Sequence, residues 1–305
     1  MVKHLRLSEG KLVDAEASTA EVVIYIAPDE AERHYLVDGL KLDEHTLNSS
    51  LDPDELGRLE FEPEHVAMIL KRPRNYSSAD NFMFKVASTG VFLFKDRLVI
   101  VVSEDNQLFQ GKPLIAMRSL QDVIMKIIYR AIYHFEEHLK VINTCSVAIE
   151  QEINTAMENK HLLNLFTLEK SLVYYLNAIM SNAAVIEKMR NAAARIGLTA
   201  GNLEYLEDIM IENNECHEQA HIYSNILASL MDARASIVAN NLNVLMKTLN
   251  IVMIALMLPT LVVSIFSMNV TLPIPQQHIV SFWLVMALAT ASAVTVGLIW
   301  RRKRL

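Results

Sequence analysis

Residues 249–266 read LNIVMIALMLPTLVVSIF, an apolar stretch that no charged residue interrupts. The uncharged region is wider still, because the sequence has no Asp, Glu, Lys or Arg between Lys247 and Arg301. A second apolar run occupies residues 279–300, and each run is close to the ~20 residues that span a bilayer core of ~30 Å. A soluble domain needs charge on its surface, so lipid is the expected solvent here. We therefore predict two C-terminal transmembrane helices.

Basic residues predict the orientation of these two spans. Lys247 precedes the first span and four basic residues, 301–304, follow the second, whereas the connecting loop has none. The positive-inside rule then places both termini in the cytoplasm. The expected location is the cell (inner) membrane, crossed by a multi-pass protein.

The charge balance limits the classes of partner. The formal net charge is −7, and setting aside the basic residues 301–304 leaves −11 for residues 1–300. Nucleic-acid binding depends on Lys and Arg that neutralise phosphate, so it is not expected, whereas inorganic cations suit an acidic domain. The sequence has no Gly-rich phosphate loop and no convincing nucleophile–base set. We therefore expect neither an enzyme nor a cofactor.

The periodicity of the sequence predicts an α+β membrane protein. Short β-branched and aromatic runs at 21–27, 65–71, 82–87, 90–94 and 97–103 predict strands, and Asp52-Pro53 predicts a helix start. Apolar residues recur at helical spacing after residue 119. The predicted segments are a cytoplasmic α/β domain (1–118), antiparallel helices (119–200), a stalk helix (201–247), a pore-lining first span (248–267), an extracytoplasmic loop (268–278), a second span (279–300) and a basic cytoplasmic tail (301–305).

A stripe of polar, small and methionine residues follows the stalk helix and the first span. Its steps alternate between three and four residues, the spacing of a heptad seam, whose positions usually hold Leu, Ile or Val. The stripe faces either a wet path at the centre of a ring of identical helices, or neighbouring helices that it packs against. The residues of this polar stripe are Asn225, Ser229, Asp232, Ser236, Ala239, Asn243, Met246, Asn250, Met253, Met257, Thr260, Ser264 and Ser267.

The chemistry of the polar stripe restricts the cargo of a pore. Neither span contains Asp, Glu, Lys or Arg, which argues against a proton relay or a carboxylate-coupled transporter. Neutral amide and hydroxyl oxygens suit a cation that keeps its water shell, and Mg²⁺ dehydrates reluctantly. Met253 and Met257 form either a hydrophobic constriction or a packing filler.

Residues 243–269, NVLMKTLNIVMIALMLPTLVVSIFSMN, resemble the CorA-type Mg²⁺/Co²⁺ transporter family, as does the order of the segments. The resemblance implies a homopentameric funnel with the first span of each chain lining the pore. It implies that Asn269 holds the hydrated ion at the outer mouth and that Asn243, Met246, Met257 and Thr260 line the pore. Asp232 matches a family aspartate at the subunit interface, where cytoplasmic Mg²⁺ bridges acids and holds the channel closed.

The filter motif departs from the family pattern. The family sequence Gly-Met-Asn reads Ser267-Met268-Asn269 here, so a backbone that depends on glycine would be altered. The outer loop also contains no Asp or Glu. We expect a divalent cation channel for Mg²⁺, with Co²⁺, Ni²⁺ and Zn²⁺ open as substrates and a divalent cation as regulatory ligand. The alternative is a non-conducting, membrane-anchored oligomeric scaffold or metal sensor of the same fold.

Two histidine pairs have the spacing of a metal chelate. His217 and His221 lie one helical turn apart, and His134 and His138 repeat that spacing. Such a pair on one helix face can bind a transition metal or can simply be solvated surface. No third ligand is evident in the sequence beside either pair.

Overall fold

A computed structural model describes residues 1–105, 109, 116–155, 159–268, 270 and 279–303 of the chain. The chain divides into two compact units, Met1–Met231 and Asp232–Leu305. The first unit contains a β-sheet with its covering helices, and the second contains the apolar helices.

Within the described residues, the sheet of the first unit has seven strands in the spatial order β2-β1-β3-β7-β6-β5-β4. Every neighbouring pair is antiparallel except β3 with β7. The inner strands are rich in β-branched and aromatic residues, which pack well on a pleated surface. The strands are β1 (Val2–Ser8), β2 (Lys11–Asp14), β3 (Val22–Ile26), β4 (Arg58–Phe61), β5 (Val66–Pro73), β6 (Val86–Leu93) and β7 (Leu98–Val102).

Helices cover both faces of this sheet. Leu36 and Leu47, from short helical segments, are buried on one face together with Phe92. The opposite face packs Met68 and other core residues against the long helices that follow the sheet. The α-helices of the first unit are α1 (Glu30–His34), α2 (Glu44–Ser49), α3 (Leu120–Thr155), α4 (Asn159–Asn191), α5 (Ala193–Ile196) and the first part of α6 (Ala200–Phe266). A π-helical turn, Tyr35–Gly39, carries Leu36, and a 3-10 turn covers Ser78–Asp80. The predicted combination of an α/β sheet domain and long helices is therefore confirmed.

The glycine inside β6 does not interrupt the strand. The sequence predicted separate strands at 82–87 and 90–94, and the structure has one strand in which Gly90 pairs with Ile69. A Cβ atom at Gly90 would lie 2.5 Å from the Cβ atom of Ser50, which ends α2. Glycine is therefore needed for the close approach of α2 to the sheet.

The predicted helix start at Asp52-Pro53 is wrong. These residues form a turn in which the amide of Asp54 donates to Oδ1 of Asp52 (2.9 Å). The Asp side chain satisfies its own backbone locally, a frequent alternative to capping a helix. The turn lies over Lys71, whose Nζ donates to the carbonyl of Pro53 (2.7 Å). Burial lowers the pKa of Lys71 to about 8, against the opposing effect of nearby carboxylates.

A pair of mutual caps joins the starts of α3 and α6. Gly197, with a φ of 76°, ends α5 in the left-handed conformation that glycine tolerates. The carboxylate of Asp122 accepts from the backbone amide of Ser119 (2.9 Å) and from Nδ2 of Asn202 (2.6 Å). The same Asn202 accepts from the backbone amide of Thr199 (3.0 Å). At each helix start, the amide of the residue before the helix therefore has a side-chain acceptor from the first turn.

The second unit contains the rest of α6 and a further helix, α7 (Ile279–Lys303). Both helices are apolar and long enough to span a bilayer. In α6, all of whose residues the structure describes, no residue after Leu227 is buried. These are the two apolar C-terminal helices that the sequence predicts.

Candidate functional site

From Asp232 onward, the polar stripe lies along one side of the part of α6 that belongs to the second unit. Its eight residues predicted to line a pore are all exposed, including Met257 at 68%. Asn243, at the start of this group, and Ser264, near its end, fall on the same side of the helix at about 100° per residue. The eight residues are Asn243, Met246, Asn250, Met253, Met257, Thr260, Ser264 and Ser267.

A second face of α6 is partly covered. The less exposed residues between 250 and 266 also recur every three or four positions, so they define one face. α7 has a matching line of less exposed residues, centred on buried Ala289. Since α7 is the other described helix of this unit, we interpret each line as the side that faces the other helix. The covered face of α6 is Ile251, Ala255, Pro259, Val262 and Phe266.

The polar stripe and the covered face point in opposite directions. Counting about 100° per residue, Met257 and Ala255 lie roughly 160° apart, and Ser264 and Val262 have the same separation. The polar stripe therefore does not pack against α7. The polar residues therefore do not join the two apolar helices of one chain, and packing against α7 is not the role of the polar stripe.

Two hydroxyl groups of the polar stripe, those of Thr260 and Ser267, are oriented by the backbone. Thr260 Oγ1 donates to the carbonyl of Leu256 (2.7 Å), and Ser267 Oγ donates to the carbonyl of Ser264 (2.9 Å). Each hydroxyl proton is thus used within the helix, and the oxygen lone pairs remain as acceptors. The waters around a hydrated cation point their hydrogens outward, so acceptor oxygens are the groups that suit such an ion.

Ser267 occupies a backbone conformation that does not require glycine. The described non-glycine residues with positive φ do not include Ser267. Its amide donates to the carbonyl of Val263 (3.1 Å), which continues the helical pattern by one residue past Phe266. Replacing the family glycine by serine therefore introduces no backbone strain here. Asn269, the predicted ligand at the outer mouth, and loop residues 271–278 lie outside the described residues.

Pro259 lies within α6 on the covered face. A proline has no amide hydrogen, so the carbonyl of Ala255, four residues earlier, loses its helical partner. Ala255 lies on the covered face as well. Any distortion of the backbone at Pro259 therefore lies on the side of α6 that faces α7. The carbonyls next to Thr260 keep the helical hydrogen-bonding pattern.

Asp232 begins the second unit and its side chain is exposed. Among the described residues of its own chain it forms no ion pair. The described residues also contain no group of three or more His, Cys, Asp or Glu side chains arranged to hold a metal ion.

The sequence did not identify the residues of the covered face as a set. Their signal was present in α7, where small residues recur at helical spacing, as they do where two membrane helices approach closely. Ser281, Ala289 and Ala293 belong to this line. The amphipathic pattern of α6 alone did not reveal it, because every residue of the covered face is apolar.

Comparisons with known proteins assign the family. The family described as CorA-like Mg²⁺ transporter protein matches residues 23–303. The cobalt/magnesium transport protein CorA of Methanocaldococcus jannaschii is 24% identical over 90% of this chain and 88% of its own.

Solved structures show the same fold. The complete CorA magnesium transporter from Methanocaldococcus jannaschii superposes with a TM-score of 0.82 at 19% identity, covering 99% of this chain and 96% of its own. The cytoplasmic domain of ZntB from Vibrio parahaemolyticus covers 76% of this chain and 95% of its own, with a TM-score of 0.57 at 14% identity. The chain, a membrane protein with two apolar C-terminal helices, therefore belongs to the CorA-like Mg²⁺ transporter family, whose members are divalent cation transporters and not enzymes.

Proposed function

We propose that this protein is a homopentameric channel of the inner membrane that passes hydrated Mg²⁺ down its electrochemical gradient. Both termini lie in the cytoplasm, residues 201–247 form the stalk, and residues 248–267 line the pore. The observation that carries the proposal is the direction of the polar stripe, which faces away from α7. A ring of chains, each with α7 outside, brings the acceptor oxygens of Thr260 and Ser264 to a common axis.

Mg²⁺ is the preferred ion in this proposal because the part of the polar stripe within residues 248–267 offers only neutral side chains. A cation that keeps its waters needs acceptors for those waters, which the hydroxyl and amide oxygens supply. Asn269 holds the hydrated ion at the outer mouth. Met253 and Met257, both exposed on the polar stripe, form an apolar constriction that closes by excluding water.

Asp232 supplies the regulation. When cytoplasmic Mg²⁺ is abundant, the ion bridges Asp232 to carboxylates of a neighbouring chain and holds the pore closed. When Mg²⁺ falls, the carboxylates repel one another and the ring loosens. An Asp232→Asn variant should therefore conduct at internal Mg²⁺ concentrations that silence the wild type.

The test is ion flux into liposomes that contain the purified protein, with Mg²⁺, Co²⁺, Ni²⁺ and Zn²⁺ compared in parallel. Mg²⁺ entry that stops in Asn269→Ala, and persists in the exposed control Asn177→Ala on α4, is the expected result. Entry of only a transition metal would keep the pore and change its substrate. Folded, oligomeric protein that passes no ion would overturn the channel and leave a membrane-anchored scaffold or sensor.

A further inference from the structure

The chain contains two histidine pairs with the same spacing and opposite surroundings. The α3 histidine pair is His134 and His138, and the α6 histidine pair is His217 and His221. In each, the two imidazoles lie on one helix face about one turn apart. Because the spacing is the same, the surroundings of each pair decide which of them suits a metal ion.

The α3 histidine pair is part of the core. His138 is 8% exposed, and its Nδ1 lies 2.6 Å from the hydroxyl of buried Tyr175. Its ring also meets Phe84 edge-on at 5.4 Å. Burial lowers the pKa of His138 to about 4 and that of His134 to about 3. His138 therefore serves in packing, with Tyr175 at its Nδ1, and the ring of His134 packs against it at 4.4 Å.

The α6 histidine pair faces solvent. His221 is exposed, and the side chain of His217 is 32% exposed. The two rings are nearly parallel, with an interplanar angle of 11° and centroids 6.5 Å apart. Two imidazole nitrogens bound to one ion stand about 3 Å apart, given metal–nitrogen distances of about 2.0–2.1 Å. Rotation of two exposed side chains closes that gap without moving the helix.

Each ring of the α6 histidine pair has a polar neighbour at Nδ1. Oε1 of Glu218 lies 3.7 Å from Nδ1 of His217, and Nδ2 of Asn225 lies 3.3 Å from Nδ1 of His221. Rotating the Asn225 amide by half a turn places its oxygen where it accepts the Nδ1 hydrogen. Metal-binding histidines are oriented in this way by a carboxylate or carbonyl, which leaves Nε2 as the ligand.

We propose that His217 and His221 chelate one late first-row divalent ion, such as Co²⁺, Ni²⁺ or Zn²⁺, through their Nε2 atoms. Water molecules complete the coordination, and Glu218 and Asn225 hold the rings from Nδ1. Imidazole suits these ions, whereas Mg²⁺ prefers oxygen ligands. This site in the first unit therefore binds transition metals in preference to Mg²⁺, whether or not the chain conducts either ion.

The experiment is calorimetric titration of Zn²⁺ into full-length, metal-free protein in detergent, with excess Mg²⁺ present throughout. We expect one Zn²⁺ per chain, and a Kd that rises about 10- to 100-fold in His217→Ala and in His221→Ala because each leaves a single ligand. The control is His34→Ala, which removes a histidine that is 81% exposed at a distant site. Glu218→Gln should weaken binding by about tenfold or less.

Bound Cu²⁺ gives a second measurement on the same samples. Its electron paramagnetic resonance spectrum should show coupling to two imidazole nitrogens in the wild type and in His34→Ala, and to one in each α6 variant. Zn²⁺ binding that is unchanged in both α6 variants would overturn the proposal, as would competition by Mg²⁺. No ion gradient is involved, so a failure of ion flux does not affect the outcome.

Discussion

The two halves of α6 have the same backbone and opposite surroundings. Between residues 200 and 231, Leu206 and Ile209 are fully buried against the rest of the first unit. Between residues 232 and 266, all described, no side chain is buried and Leu256 is 67% exposed. The first half is stabilised by packing within its chain, whereas the second exposes an apolar surface that suits a lipid environment. One helix thus joins two regions whose stability has different sources.

The largest expected difference between the two halves is in a core truncation. Ile209→Ala should lower the free energy of unfolding of the first unit by about 2–5 kcal/mol, because it leaves a cavity. Leu256→Ala, a matched loss of an aliphatic side chain, should change it by about 0.5 kcal/mol or less. Thermal unfolding of the full chain in detergent, followed by the near-ultraviolet circular dichroism of tyrosine, measures both. Equal losses would contradict the division of α6.

The next effect is a pH dependence that belongs to the first unit alone. In the unfolded chain His138 takes up a proton near pH 6.5, whereas burial keeps it neutral in the folded state down to about pH 4. Between these values the unfolded state binds more protons, so stability falls as the pH falls. The loss from this residue is on the order of 2–3 kcal/mol at pH 4.

His138→Gln tests this assignment, because glutamine retains a polar partner for Tyr175 and does not titrate. Urea unfolding of the first unit, measured between pH 7 and pH 4, should fall less steeply in the variant than in the wild type. Parallel curves for the two proteins would show that other groups cause the loss.

A smaller effect separates the two faces of α6 in the second unit. Thr260→Val removes an acceptor oxygen from the polar stripe, and we expect ion flux to fall about fivefold, the equivalent of about 1 kcal/mol. Val262→Thr adds a hydroxyl on the covered face, where we expect flux to change by less than about twofold. Liposome flux of both variants, at matched protein density, gives the comparison. A larger effect at Val262 would reverse the assignment of the faces.

The smallest expected effect is at the end of α6. Ser267→Gly restores the family residue, yet the backbone there has no positive φ that glycine would relieve. We expect flux within about twofold of the wild type and a helix end that is weaker by about 0.5–1 kcal/mol. Hydrogen exchange at residues 264–268 reports the second quantity. A large gain of flux would show that this position needs glycine after all.

Much of the fold was predictable because the local pattern of apolar and charged residues determines the type of each long segment in this chain. The uncharged region from 248 to 300 and the helical spacing after residue 119 each have one inexpensive structural interpretation. The strands β1, β2 and β4 were missed, since all three are partly polar and the two edge strands, β2 and β4, have only four residues each. The helix start predicted at Asp52-Pro53 was wrong, because the residue types that cap helices also form turns.

The residues of the polar stripe were identified from the sequence, but their direction was not. Which side of α6 faces α7 depends on the packing of two apolar surfaces, and apolar residues carry no polarity contrast that reveals a face. The structure supplies that direction through the reduced exposure of Ala255 and Val262. The roles of Asn269 and Asp232 stay predictions.

Because the polar stripe and the covered face lie on opposite sides of α6, the residues of each surface can change independently during evolution. In the proposed pore, substitutions along the polar stripe alter the side chains that meet the ion, and the covered face of α6 remains unchanged. A protein built in this way can acquire a different cargo through a few substitutions that leave its membrane insertion and folding unaffected. Positions such as Thr260 are therefore the natural starting points for redesigning ion preference.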